Sequence, residues 1–107
     1  MERMQGSREW WAAIWCGLVV DPEGKHIRRL GIAGWLLVYL ILHARRETGV
    51  VVTRQRTISR RTRVPIRTIQ RWLSRLRRYG YVEIATDRPV LRLRVNRWKS
   101  VGAMRQR

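Results

Sequence analysis

Between Thr48 and Val82 the chain carries ten arginines and no acid. A guanidinium is a planar, permanently charged fork. It bonds two phosphate oxygens at once, or the O6 and N7 of guanine. A glutamine amide does the same with adenine. Arg67, Thr68, Gln70 and Arg71 crowd together, with Arg54, Arg56, Arg60, Arg61 and Arg63 before them and Arg75 after them. Arg88, Arg92 and Arg94 follow further on. Such a set binds a polyanion and catalyses nothing by itself. The acids Glu2, Glu9, Asp21, Glu23, Glu47, Glu83 and Asp87 are dispersed, so no carboxylate pair or metal cage is suggested. Cys16 is alone, and His26 and His43 are too scattered to make a metal site with it. No glycine-rich phosphate loop and no Ser-His-Asp grouping is visible, so neither an enzyme nor a cofactor is expected.

The charge of the whole chain agrees. Its 107 residues hold 24 Lys and Arg against 7 Asp and Glu, a formal net charge of +17. Nucleic acid is the first candidate partner, because neutralising phosphates releases counterions. An anionic membrane surface or an acidic protein would also be attracted. Only Lys25 and Lys99 are lysine, a bias that a GC-rich coding sequence produces as readily as selection does. The most apolar stretch, Ile32 to Ala44, spans 13 residues, short of the roughly 20 that cross a bilayer. With no secretory signal visible, a cytoplasmic protein with no membrane partner is expected.

The elements that must hold these arginines follow from periodicity. Trp10 to Val20 is apolar without a clean period and reads as a short strand or extended segment. Asp21 is placed to cap a short helix, Pro22 to open it, and Leu30 to end it. Ile32 to Glu47 reads as a buried helix, apolar on nearly all sides, stopped by Gly49. Val50-Val51-Val52 is a strand. Thr53 to Arg63 is a polar helical segment anchored by Ile58 and broken at Val64-Pro65. Ile66 to Tyr79 is a helix whose Ile66, Ile69, Leu73 and Leu76 share one face, with Gly80 as its cap. Tyr81 to Ala85 and Val90 to Val95 are strands around the turn at Thr86 to Pro89. Leu91, Leu93 and Val95 alternate with Arg92, Arg94 and Asn96. The domain is expected over residues 10–98, between a flexible N-terminus, 1–9, and a basic tail, 99–107. One such domain leaves no room for an effector or ATPase domain. The chain is then either a fragment or a small accessory protein.

Helix, strand, helix, turn, helix and hairpin, in that order, make a mainly α fold with a small β-hairpin wing (α+β), a winged helix-turn-helix. The run VPIRTIQRWLSRLRRYGYVEI resembles the recognition-helix signature of winged-helix proteins through Val64, Arg67-Thr68, Ile69, Leu73, Leu76 and Gly80-Tyr81-Val82. Pro65 departs from that pattern, standing where Ser or Thr usually caps the helix. The wider layout, with GIAGWLLVYLILHA before the motif and VNRWK after the hairpin, resembles the N-terminal domains of phage- and plasmid-type replication initiators.

The resemblance and the periodicity imply roles. Arg67, Thr68, Gln70 and Arg71, in the first turns of the second helix, are expected to read bases in the major groove of duplex DNA. Arg54, Arg56, Arg60, Arg61, Arg63 and Arg75 are expected on phosphates. Arg88, Arg92 and Arg94 are assigned to the wing. A solvated charged face is the bland alternative. Trp72 either packs in the core or leans on a phosphate. Trp10, Trp11 and Trp15 either pack against the Trp35 helix, stack single strands, or bind a partner. Trp98 is placed to cap the core. The expected setting is replication initiation on a mobile element. Transcription regulation on the same fold is the alternative, and a protein-interaction module using the Trp-rich segment is the rival from another class. A homodimer or a replisome partner fits either DNA role.

Overall fold

The computed structural model describes residues 14–96. The element order is α1 (Cys16–Val19), α2 (Lys25–Leu30), a 3₁₀ turn (Gly31–Ala33), α3 (Gly34–His43), β1 (Val50–Thr53), α4 (Gln55–Thr62), α5 (Ile66–Arg78), β2 (Val82–Thr86) and β3 (Leu91–Val95). Trp10, Trp11, Trp98 and the segments 1–9 and 99–107 lie outside the described residues.

Two elements carry the core from sequence to packing most directly. In α5 the apolar residues recur at helical spacing, and Ile69, Leu73 and Leu76 are buried. In β3 they alternate, and Leu91, Leu93 and Val95 are buried while Arg92 and Arg94 are exposed. β3 is the centre of a three-stranded antiparallel sheet in the order β1-β3-β2. Val51 of β1 lies opposite Leu93, and so does Ile84 of β2. The register slips between Ile84 and Thr86, a bulge next to the wing turn. Leu36, Leu37, Leu40 and Ile41 of α3 and Ile58 of α4 complete the same core.

The end of α5 is a Schellman cap. Gly80 adopts φ +79°, its N–H donates to the carbonyl of Arg77, and the N–H of Tyr81 donates to that of Leu76. The chain thus leaves the helix directly into β2, as the Gly80 cap implies.

Four expectations need correction. Within Trp10 to Val20, Cys16–Val19 is a helical turn and not a strand or extended segment, closed by Val20 N–H on the Cys16 carbonyl, and only Val20 after it is extended. Asp21 does not cap at Pro22. It begins a turn, and its carboxylate accepts the N–H groups of Glu23 at 3.2 Å and His26 at 3.1 Å, so α2 starts only at Lys25. The helix of α3 ends at His43, not at Gly49. Ala44 is extended, and Arg45 to Gly49 form a separate turn closed by Gly49 N–H on the Arg45 carbonyl. Nor do the described residues cover α3 on all sides: Trp35 is 70 % exposed, along an apolar groove shared with Leu42 and Trp72.

The first helices dock through polar contacts. His26 is buried, and its Nδ1 pairs with the Tyr81 hydroxyl at 2.6 Å. Trp15 meets the same imidazole edge-on, with ring centroids 5.2 Å apart. Leu18 packs on the core. The His26 backbone N–H holds the Asp21 carboxyl below its usual range. Burial pushes the Tyr81 phenol up. Among the described residues no helix is long and apolar enough to cross a membrane, and no group of His, Cys, Asp and Glu is gathered for a metal.

Candidate nucleic-acid interface

The face of α5 opposite Ile69, Leu73 and Leu76 is set by the same period. Arg67, Arg71, Ser74 and Arg78 recur along it and are all exposed. The side chains of Arg67 and Arg71 make no hydrogen bond or ion pair with another described residue. Thr68 lies beside them, half-buried. Pro65 supplies no side-chain cap, so the N–H groups of the first turn remain available to an anion, at the positive end of the helix.

Gln70 has a different employment. Its side-chain amide donates to Gln55 Oε1 at 3.0 Å, and Gln55 Nε2 donates to the carbonyl of Asp87 at 3.1 Å. Two amides thus connect α5, the first residue of α4 and the wing turn. Gln70 is placed within the predicted group but is engaged in this relay. Gln55 was not singled out from the sequence, and nothing in its neighbours signals a partner 32 positions away.

α4 presents Arg56, Arg60 and Arg61 to solvent, with Arg54 just before it and Arg63 just after it. Its geometry is set locally. Ile58 is fully buried, Thr62 Oγ1 donates to the Ile58 carbonyl, and Ser59 Oγ donates to the Val64 carbonyl. Arg63 sits at φ +62°, a left-handed position that an L side chain occupies at a cost, and it turns the chain from α4 into α5. Arg61 lies 3.4 Å from His43 Nε2, so it leans back on α3.

Three of the predicted arginines are committed elsewhere. Arg75 is exposed on α5, but its Nε donates to the carbonyl of Arg29 and its Nη2 to that of Arg28 at 3.0 Å. It also lies over the Tyr79 ring. Its fork closes the C-terminal end of α2. Arg94 forms an ion pair with Glu83 across the hairpin at 2.9 Å. Arg61 is the third, through His43. Arg88 and Arg92 remain exposed with no such partner among the described residues. Trp72 packs against the core. Arg78, not singled out from the sequence, continues the same row by the step of three and four, with its guanidinium 5.5 Å from the centroid of the Tyr79 ring.

The result is a cationic surface built from α4, the Arg63 turn, the outer face of α5 and the wing turn. It offers charge-assisted donors at spacings set by a helix and a hairpin, without an acid in α4 or α5. That arrangement can neutralise phosphates and place a helix against base edges. Residues 33–82, from the last residue of the 3₁₀ turn to the first of β2, match the family model of a helix-turn-helix domain. No curated protein and no solved structure gives a significant match. The helix pair inside that match, carried on a three-stranded antiparallel sheet with its hairpin, makes the fold an α+β winged helix-turn-helix, and the match supports DNA binding.

Proposed function

We propose that the chain binds duplex DNA with sequence preference and acts by binding alone, α5 entering the major groove while α4 and the wing hold the backbone. The observation that carries this is the row of Arg67, Arg71, Ser74 and Arg78 along one exposed face, flanked by the arginines of α4. A merely solvated face would mix signs, and this one contains no acid. Arg67 and Arg71 are the base readers. Arg54, Arg56, Arg60 and Arg63 hold phosphates, and Arg88 and Arg92 serve the wing. Replication initiation on a phage, plasmid or other mobile element is the setting suggested by the segments GIAGWLLVYLILHA and VNRWK. Transcription regulation is served equally by the same surface.

The test is selection of duplexes from a random pool, followed by a salt titration on the best and on a scrambled duplex. Each phosphate neutralised contributes about −0.9 to the log–log slope of affinity against salt. A steep slope on both duplexes, with tighter binding to the selected one, is the expected result. A slope near zero removes the reading. Whether initiation or regulation is served is decided by where the selected sequence lies in the genome that encodes the chain: at an origin, or before a transcription start.

A further inference from the structure

Ile66 departs from the pattern of α5. The other three apolar residues of its face are buried, whereas Ile66 is 39 % exposed. It is not the apolar contact that ties the helix start to the preceding turn. Val64, which packs on the core and shares a groove with Ile69, occupies that role. Ile66 lies instead along a cleft of about 580 Å³ between the helix pair and the wing turn, lined by Arg54, Arg56 and Arg88 together with Gln55, Gln70, Asp87 and Pro89. Ile66 is thus the least covered of the four, and its open part stands beside three arginines.

In the major groove of DNA the apolar group on offer is the C5-methyl of thymine. The first residues of a groove-entering helix are the ones that reach base edges. Ile66 is the first residue of α5. The arginines on either side of it are placed to hold the phosphates that flank a base. We infer that Ile66 reads a thymine methyl, so that thymine is a required base of the preferred site. The inference rests on the DNA reading above.

The test uses the full chain and the tightest duplex from the random-pool selection. Each thymine is replaced in turn by deoxyuridine, which removes the methyl and nothing else. At one position wild type should lose about fourfold in affinity, the value of one buried methyl group. Ile66→Ala should bind the thymine duplex about as weakly as wild type binds the uracil one, and should not distinguish them. Ile66→Val should still distinguish them. Melting temperatures confirm that the variants are folded, and Ile66→Thr, closer in shape, serves the same comparison should the alanine variant unfold. Indifference of wild type to uracil at every position overturns the inference, as does a selected site without thymine. So does discrimination that survives in Ile66→Ala. Those outcomes leave the DNA reading intact. Its own failure is recognised separately, by the loss of salt-dependent binding to random-sequence duplex, and takes the inference with it.

Discussion

The arginines of the α4–α5 face and those on the α2 side and hairpin are the same side chain under two regimes. On the second, three forks are satisfied within the protein. Arg75 closes the carbonyls of α2, Arg28 donates to the Glu23 carbonyl, and Arg94 meets Glu83. On the first, the side chains of Arg54, Arg56, Arg60, Arg63, Arg67 and Arg71 bond no other described residue. Composition treats the two groups as one. Their removal should separate them, since one group works on stability and the other on affinity. An open cationic face costs the fold self-repulsion, and only an anionic partner offsets that.

The largest expected effect lies on the open side. Replacing both Arg67 and Arg71 by alanine should weaken binding to the selected duplex at least about thirtyfold, at about 1–3 kcal/mol for each base-reading arginine. The melting temperature should hardly move, because exposed unpaired side chains change stability by about 0.5 kcal/mol at most. Fluorescence anisotropy and a thermal melt check both halves. A comparable drop in melting temperature would erase the distinction between the groups.

Arg75→Ala should do the reverse. It leaves the carbonyls of Arg28 and Arg29 without their donors, at a cost of about 1–2 kcal/mol, since water replaces part of an exposed bond. For a domain of this size each kcal/mol moves the melting midpoint by about 4–8 °C. Lysine at this position should not restore it, having one ammonium where the site needs a fork. If the midpoint holds and DNA affinity falls as far as in the Arg67 variant, Arg75 belongs with the open group.

Salt titrations sharpen the contrast among phosphate contacts. Arg54→Ala or Arg56→Ala should each lower the log–log slope by about 0.9. Arg94→Ala should leave it nearly unchanged, because Glu83 already holds that charge. Glu83→Gln should then release Arg94 and steepen the slope. An exposed pair of this kind is worth about 0.2–1 kcal/mol, so stability should change little. A flat response to Glu83→Gln would show that the hairpin face stands away from the DNA.

The periodic elements were legible in the sequence because their evidence is local. The alternation in β3, the three-and-four steps in α5, the valine run of β1 and the glycine after α5 each announce an element within a few residues. What was not legible depends on distant partners. Nothing near Arg75 indicates that its fork reaches α2, 46 positions away. The engagement of Gln70 by Gln55 is of the same kind. The end of α3 at His43 was hidden because Ala44, Arg45 and Arg46 are all good helix formers. It is the turn that feeds β1, with Arg45 N–H on the Val50 carbonyl, that overrides their preference. The open state of Ile66 was invisible to a periodicity that places it beside Ile69.

The smallest effect is in the pH dependence, and it belongs wholly to the side that is tied up. Asp21 titrates below its usual value in the folded chain, so its contribution is present above about pH 4 and is lost as pH falls through the folded value. Tyr81 titrates above its usual value. Its contribution is complete below about pH 10 and is lost as pH rises toward the folded value. Asp21→Asn should flatten the acid limb of a stability profile and Tyr81→Phe the alkaline limb. Limbs unchanged in both variants would mean that neither group titrates differently on unfolding.

Among the described residues β1 has a strand neighbour on one side only, since the sheet runs β1-β3-β2. Its outer edge offers a template for another copy of the chain, and Val52 stands 53 % exposed on it. Two things blunt that edge. The strand is four residues long, and Arg45, Arg46, Arg54 and Arg56 bracket it. The first is permanent, but the second depends on ionic strength. Charge repulsion reaches about 10 Å at 0.1 M salt and about 3 Å at 1 M. The salt that strips nucleic acid from the arginines therefore also removes what keeps two valine edges apart, and the DNA-free chain is most prone to self-association in the buffer that frees it.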